Sequence, residues 1–213
     1  MDSEAKMNQI VTRLEVQKRD KERVNVYLDG AYAFSVTLNA ALLLYKGQHL
    51  DLEKIHELQQ DDETARAYST ALHFLSFRAR SCAEMEKHLI SKKHPDHVIA
   101  ETISRLIGNR YLDDKDFARQ WLDNRCRLNP KSAYAISCEL KKKGIGQEII
   151  EEVLEDFTEY DAAWNAVRKK LFQWEKLDKY KLKTKLFTFL SNRGFNYETT
   201  WDIYNRIVEE KFQ

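Results

Sequence analysis

Proline and glycine are scarce: two prolines (Pro95, Pro130) and six glycines in 213 residues. A loop-rich β protein needs such breakers at most turns, so that class is excluded and helices are favoured. Cysteine is scarce as well. Cys82, Cys126 and Cys138 are an odd number without a CxxC pair, which reads as reduced thiols in a cytoplasmic protein rather than a disulfide framework. Long hydrophobic runs are missing. The longest, residues 40–45, falls far short of the ~18 residues a membrane span requires. The opening MDSEAKMNQI has acids and no apolar centre, so no signal peptide is expected. Enzyme signatures are missing too. GxxxxGK[ST], GxGxxG and HExxH do not occur, and Gly144-Ile145-Gly146 is too short to cradle a pyrophosphate. No catalytic residue, metal or cofactor is therefore expected.

Net charge is also nearly absent, with 35 bases against 34 acids, but the balance is uneven. Three successive stretches, 1–60, 61–114 and 115–160, each hold eight bases and nine acids, whereas 161–213 holds eleven bases and seven acids. Arg168, Lys169, Lys170, Lys176, Lys179, Lys181, Lys183, Lys185 and Arg193 face only Glu175 and Asp178 there. Such a cluster attracts phosphate or an acidic protein surface; it is also what a solvated helical face looks like.

Near the N-terminus, Val24, Val26 and Leu28 alternate with polar residues, Asp29-Gly30 follows, and Tyr32, Phe34 and Val36 alternate again. Asp-Gly between two period-two runs predicts a type I′ hairpin. With a strand over 10–17, the result is a β element of two or three strands. A helix from 37 or 39 to 45 is expected to cover it, and Asp51 to cap a further helix through about 59.

The remainder repeats at an offset of fifty. Ile90, Leu140 and Leu190 align, then Lys93, Lys143 and Arg193, then His94, Gly144 and Gly194. Ile103, Val153 and Ile203 follow, and Ile107, Phe157 and Ile207; upstream, Ala67, Phe117 and Val167 align. Apolar residues at helical spacing predict three helices per unit: 63–77, 82–92 and 96–108; 114–127, 131–143 and 146–157; 159–174, 178–192 and 197–210. The expected fold is mostly α, three tandem three-helix repeats in an elongated, curved array with a small N-terminal β-hairpin element. Its parts would be 1–60, 61–114, 115–160 and 161–213.

Within this frame most polar clusters have plain explanations. Asp61-Asp62 and Asp113-Asp114 precede apolar helical runs and suit capping. His94 and His97 have HxxH spacing but no further ligands in view. Ser81 with Glu84 suits a capping box. Trp121, Trp164, Trp174 and Trp201 lie on helical faces as core anchors. The bases are more telling. Arg78 and Arg80 close a helix, and Lys92-Lys93, Lys141-Lys142-Lys143 and Arg193 recur at the end of each second helix. There they oppose the helix dipole; in a stack they would also form a ladder of positive charge able to track a phosphate backbone or an acidic groove.

The segments FRARSCAEMEKHLISKK, NRYLDDKDFARQWLDNR, CELKKKGIGQEIIEEVL and FLSNRGFNYETTWDIYNRIV together resemble the RecX family of bacterial recombination regulators. The likeness covers roughly residues 63–210. Arg78, Arg80 and Ser81 match its Arg-x-Arg-Ser segment, and Tyr111 to Asp114, Phe117 and Ala118 its Tyr-Leu-Asp-Asp-x-x-Phe-Ala segment. This chain departs from the family at Lys93-His94-Pro95, where a Lys-Gly-aromatic turn is usual, and at Asn129-Pro130, where a Gly is common. The resemblance implies a non-enzymatic protein of tandem three-helix repeats. It would bind the RecA recombinase in the groove of its filament on single-stranded DNA and inhibit ATPase, strand exchange and coprotease activities in recombination and the SOS response. Partners are then the RecA filament and, through weak direct contact, single-stranded DNA, with this chain a monomer. Candidate contacts are Arg78, Arg80, Lys92, Lys93, Arg110, Lys141, Lys142, Lys143, Arg168, Lys169, Lys170, Lys183, Lys185 and Arg193. The competing reading is a stand-alone helical DNA-binding module without a recombinase partner.

Overall fold

The computed structural model describes residues 8–212. They form two compact units, one of residues up to Arg78 with Met85–Asn109, the other of Ala79–Glu84 with Arg110 onward.

The first unit opens with strands β1 (Gln9–Val16), β2 (Arg23–Leu28) and β3 (Ala31–Thr37), a short helix α1 (Leu38–Ala41) and the two-residue strand β4 (His49–Leu50). All pairings are antiparallel, in the order β3-β2-β1-β4. Asp29 (φ 50°) and Gly30 (φ 88°) both lie in the left-handed region that a type I′ turn demands. Period-two alternation puts Val24, Val26 and Leu28 on one face, opposite Val36 and Phe34 on β3, and Val11 joins them.

The cover differs from expectation. Thr37 caps α1 by accepting from the Ala40 amide, but α1 lasts one turn. Leu44 reaches the core while Leu42 and Leu43 stay 76% and 80% exposed. Helix α2 (Leu52–Leu75), capped by Asp51, supplies the rest of the cover through Ile55 and Leu58. It is one continuous helix where two were expected, so Asp61 and Asp62 are not caps. Asp62 is buried mid-helix and accepts from Arg23 Nη2 at 2.8 Å, which ties α2 to β2. That pairing removes the reason to break the helix there.

Past Leu58, α2 becomes the first helix of a repeat completed by α3 (Cys82–Ser91) and α4 (Asp96–Gly108). Ala67 and Ala71 are fully buried, as are Leu89 and Leu106. Phe74 stacks on His88 with centroids 3.8 Å apart, and Arg105 lies over the Tyr68 ring.

The second unit holds α5 (Asp114–Leu128), α6 (Ala133–Lys142) and α7 (Gln147–Leu154), then α8 (Glu159–Arg168), the short α9 (Leu171–Trp174), α10 (Lys179–Ser191) and α11 (Tyr197–Phe212). Asp113, Ser132 and Asp178 cap α5, α6 and α10. One core gathers Phe117, Ala118, Ile136, Leu140, Ile145 and Ile150, and another gathers Ala163, Val167, Trp174, Leu186, Leu190, Phe195 and Ile203. The helix expected over 159–174 is interrupted after Arg168.

The repeat is real, but its register needs correcting. Each second helix ends in a Schellman-type turn. His94 N–H donates to the Leu89 carbonyl, Ile145 to Leu140 and Phe195 to Leu190. The left-handed residue just before each donor is Lys93 (φ 63°), Gly144 (φ 79°) and Gly194 (φ 85°). Leu89, not Ile90, is thus the counterpart of Leu140 and Leu190; Leu89 is buried and Ile90 54% exposed. The slip persists through the third helices, whose amides close onto Pro95, Gly146 and Asn196. Leu106 is buried at the place the offset assigned to Ile107, which is 49% exposed. One residue rotates a helix by about 100°, enough to exchange a core side chain for an exposed one.

Candidate functional site

The turn that ends each second helix is where the expected ladder of bases lies, and the structure gives these bases different tasks. In the second unit the turn is also a joint between successive repeats. The Ser81 hydroxyl donates to the Lys143 carbonyl at 2.6 Å, and a Cβ on Gly144 would meet the Ala83 Cβ at 2.3 Å. One repeat later, the Ser132 amide donates to the Arg193 carbonyl at 3.1 Å, and a Cβ on Gly194 would meet the Ser132 Oγ at 2.6 Å. Glycine is required at both positions by close approach as well as by positive φ. The start of one second helix thus seats on the end of the next.

Lys143 and Arg193 belong to these joints. Lys143 Nζ pairs with Glu84 Oε1 at 2.5 Å, with both side chains largely buried. Glu84 therefore meets a lysine of the next repeat, although its own amide does donate to Ser81 Oγ as a capping box requires. The Arg193 guanidinium lies 3.7 Å from the Phe189 ring centroid and donates to the Phe189 carbonyl, and burial lowers its pKa. Both cations are half-buried, unlike the exposed Lys141 and Lys142.

The other expected contacts separate likewise. Lys92, Lys93, Arg110, Lys141, Lys142, Arg168 and Lys185 are exposed. Lys93 and Arg110 both have positive φ, at 63° and 60°. Arg78 is exposed and Arg80 half-buried; both lie in the segment joining α2 to α3, past the end of the helix they were expected to close. Lys169 Nζ donates to the Arg127 carbonyl at 2.7 Å, and Lys170 Nζ to Gln173 Oε1 at 3.4 Å. Lys170, Lys181 and Lys185 line one groove of about 640 Å³ with Trp174, Tyr180 and Thr184.

Sequence reasoning placed all four tryptophans in the core, but only Trp174 is buried. Each of the other three is half-buried under a cation. Arg125 stands 4.6 Å from the Trp121 centroid, Arg206 3.7 Å from that of Trp164, and Lys183 Nζ 4.3 Å from that of Trp201. Trp121 belongs to a network around Glu139 that periodicity did not signal. Glu139 accepts from Trp121 Nε1 at 2.8 Å, Arg125 Nε at 2.6 Å and Lys131 Nζ at 2.5 Å. Burial raises its pKa, but these three donors outweigh burial and hold the carboxyl below its ordinary value.

Burial and the carboxylate of Asp114 push the Cys82 thiol up to about 11, so it stays protonated near neutrality. Among the described residues no group of three or more His, Cys, Asp or Glu is placed to hold a metal ion. His94 stands 3.8 Å from Glu63. No helix among the described residues is long and apolar enough to cross a membrane.

Four family models match the chain in sequence order: the regulatory protein RecX N-terminal domain over residues 9–51, and the first, second and third RecX three-helix domains over 67–106, 113–154 and 158–203. The chain belongs to the RecX family. It is 37% identical over 193 residues to the regulatory protein RecX of Bacillus subtilis, covering 88% of this chain and 73% of that relative. It is 35% identical over 205 residues to that of Bacillus velezensis, covering 94% and 76%. A crystal structure of a regulatory protein RecX superposes with a TM-score of 0.70 at 28% identity, over 92% of this chain and 99% of that one. RecX from Lactobacillus salivarius gives 0.60 at 25% identity, over 68% and 96%. The corrected register also accounts for the apparent departure from the RecX turn: Lys92-Lys93-His94 occupies the Lys-Gly-aromatic positions, with Lys93 in the glycine's conformation.

Proposed function

We propose that this chain regulates the RecA recombinase by occupying the groove of its filament on single-stranded DNA, and that it mainly inhibits ATP hydrolysis, strand exchange and coprotease activity during recombination and the SOS response. It acts as a cytoplasmic monomer and not as an enzyme. The observation that carries this reading is that RecX domain matches run in order through nearly the whole chain.

The physical logic is multivalent. Three tandem repeats offer several weak contacts at once, and linked contacts add through effective concentration. A groove occupied in this way is closed to an incoming duplex or repressor. An effect on ATP turnover further requires unequal affinity for two filament states. The exposed bases Lys92, Lys93, Arg110, Lys141, Lys142, Arg168 and Lys185 are the contacts this reading favours, whereas Lys143 is paired with Glu84 in a repeat joint and the Arg193 guanidinium lies over Phe189 of its own helix.

The test is single-stranded-DNA-dependent ATP hydrolysis by the cognate RecA with this chain titrated in below stoichiometry. A fall in rate at low ratios is expected. An unchanged rate at equimolar protein would overturn the reading.

A further inference from the structure

Helices α10 and α11 build a cluster of four rings, of which only Tyr204 packs against the core of the repeat. Phe187 on α10 lies edge-on to Tyr197, Trp201 and Tyr204 on α11, at centroid distances of 5.4, 5.9 and 6.5 Å. Tyr197 and Trp201 are within 13° of parallel at 5.9 Å. Lys183 Nζ stands 4.3 Å from the Trp201 centroid and 5.7 Å from that of Phe187. The cluster faces solvent: Tyr197 is 68% exposed, and Phe187, Trp201 and Tyr204 are half-buried.

The repeats provide an internal control. In the corrected register, the core positions Leu89, Leu140 and Leu190 stay apolar in all three copies. Three of the four ring positions do not. Phe187 corresponds to Ser137 and Glu86, Tyr197 to Gln147 and Asp96, and Trp201 to Glu151 and Ala100. Two repeats fold with polar, charged or small residues where the third carries Phe187, Tyr197 and Trp201, so packing does not explain these three; Tyr204 corresponds to Leu154 and Ile103 and packs on the core.

We propose that this ring cluster is a stacking platform for the bases of a single-stranded nucleic acid. Every base has a flat π-face and stacks on an exposed aromatic ring whatever its identity. The open ring is Tyr197, backed by the nearly parallel Trp201. A phosphate beside a stacked base needs a nearby cation, and Lys183 is held at the rings. Helix α10 carries Lys179, Lys181, Lys183 and Lys185 and no acid, while Glu198 and Asp202 on α11 offset part of that charge. An acidic peptide would depend on net positive charge, which is modest here. The feature peculiar to this face is ring area, and that favours a base.

The experiment measures binding of the full chain to a fluorescently labelled thymidine oligonucleotide and to an abasic oligonucleotide of the same length, by anisotropy. The unmodified chain should bind the thymidine strand several-fold more tightly than the abasic one. Tyr197→Ala should lower affinity for the thymidine strand by roughly five- to tenfold and leave the abasic strand unchanged; Tyr197→Trp should keep the preference. Tyr197 is exposed in the first turn of α11, and circular dichroism would verify that both variants fold. Equal affinity of the unmodified chain for the two strands would overturn the proposal, as would a Tyr197→Ala effect that is parallel on both or absent on both. A loss confined to binding of a recombinase filament would make the platform a protein contact and also overturn it. The oligonucleotide measurement contains no recombinase, so its failure bears on the platform and leaves the regulatory reading to its own test.

Discussion

Glu139 shows how much one residue can organise without any periodic signal. It sits on α6 and accepts from Trp121 and Arg125 of α5 and from Lys131 just before α6. Charge-assisted bonds of this kind are each worth more than a neutral bond. Glu139→Gln removes the negative charge at the centre of two cations, and we expect a loss of roughly 2 kcal/mol of stability near neutral pH. The sign of the pH dependence follows from the lowered pKa. The contribution is present above the ordinary carboxyl value of 4.5 and is lost as pH falls through the folded-state value. Denaturant melts at a series of pH values should therefore show the gap between the chain and its variant narrowing below that value; a constant gap would argue against the charge. The sequence concealed this site because Trp121 and Arg125 lie on one helix and Lys131 and Glu139 at and beyond the start of the next, with no motif linking the two. Asp62 was concealed for a related reason. A carboxylate pair at a plausible helix start looks like a cap, and only tertiary placement beside Arg23 shows otherwise.

At the scale of elements, helix periodicity was legible almost everywhere and exact register was not. Ile90 and Leu89 are adjacent and both apolar, so hydrophobicity alone could not choose between them. The deciding feature is the Schellman turn, which needs a left-handed residue after each second helix, and in the first repeat that residue is Lys93 in place of glycine. A left-handed non-glycine residue is strained by about 1 kcal/mol. Lys93→Gly should therefore stabilise the protein by up to about 1 kcal/mol, read as a rise in Tm, because it relieves the left-handed strain, with the greater freedom of glycine in the unfolded chain offsetting part of the gain. The converse change distinguishes strain from close approach. Gly30→Ala meets no atom within 4 Å and should cost only about 1 kcal/mol. Gly144→Ala meets the Ala83 Cβ at 2.3 Å, so overlap adds to the same strain and the loss should reach roughly 2–4 kcal/mol. Equal losses at the two positions would remove the joint from the account. The cover of the sheet was misjudged for an energetic reason: a single turn of helix buries too little, so α2 extends across the β element and Leu42 and Leu43 remain outside.

For the molecule as a whole, the family and the three-repeat plan were both legible, because a repeat writes its core many times over. The distribution of work among the bases was not, since a lysine in a joint and a lysine in solvent look alike in a sequence. Lys141, Lys142 and Lys143 make the difference measurable. The first two are exposed at the end of α6, and the third pairs with Glu84 against a neighbouring repeat. Reversing Lys141 and Lys142 to Glu should leave stability nearly unchanged, because isolated surface charges contribute little. It should weaken binding to a RecA filament and flatten the dependence of that binding on salt, since fewer counterions are exchanged. Reversing Lys143 sets a glutamate against Glu84 in a largely buried site, so it should destabilise the second unit by roughly 3 kcal/mol. Any loss of filament binding by that variant then follows loss of structure. Thermal melts and filament binding at two salt concentrations, run on both variants, separate the outcomes. If the Lys141–Lys142 variant binds as tightly as the parent at both salt concentrations, the end of the second helix is not a contact, and the exposed bases of the other repeats would have to carry the interaction.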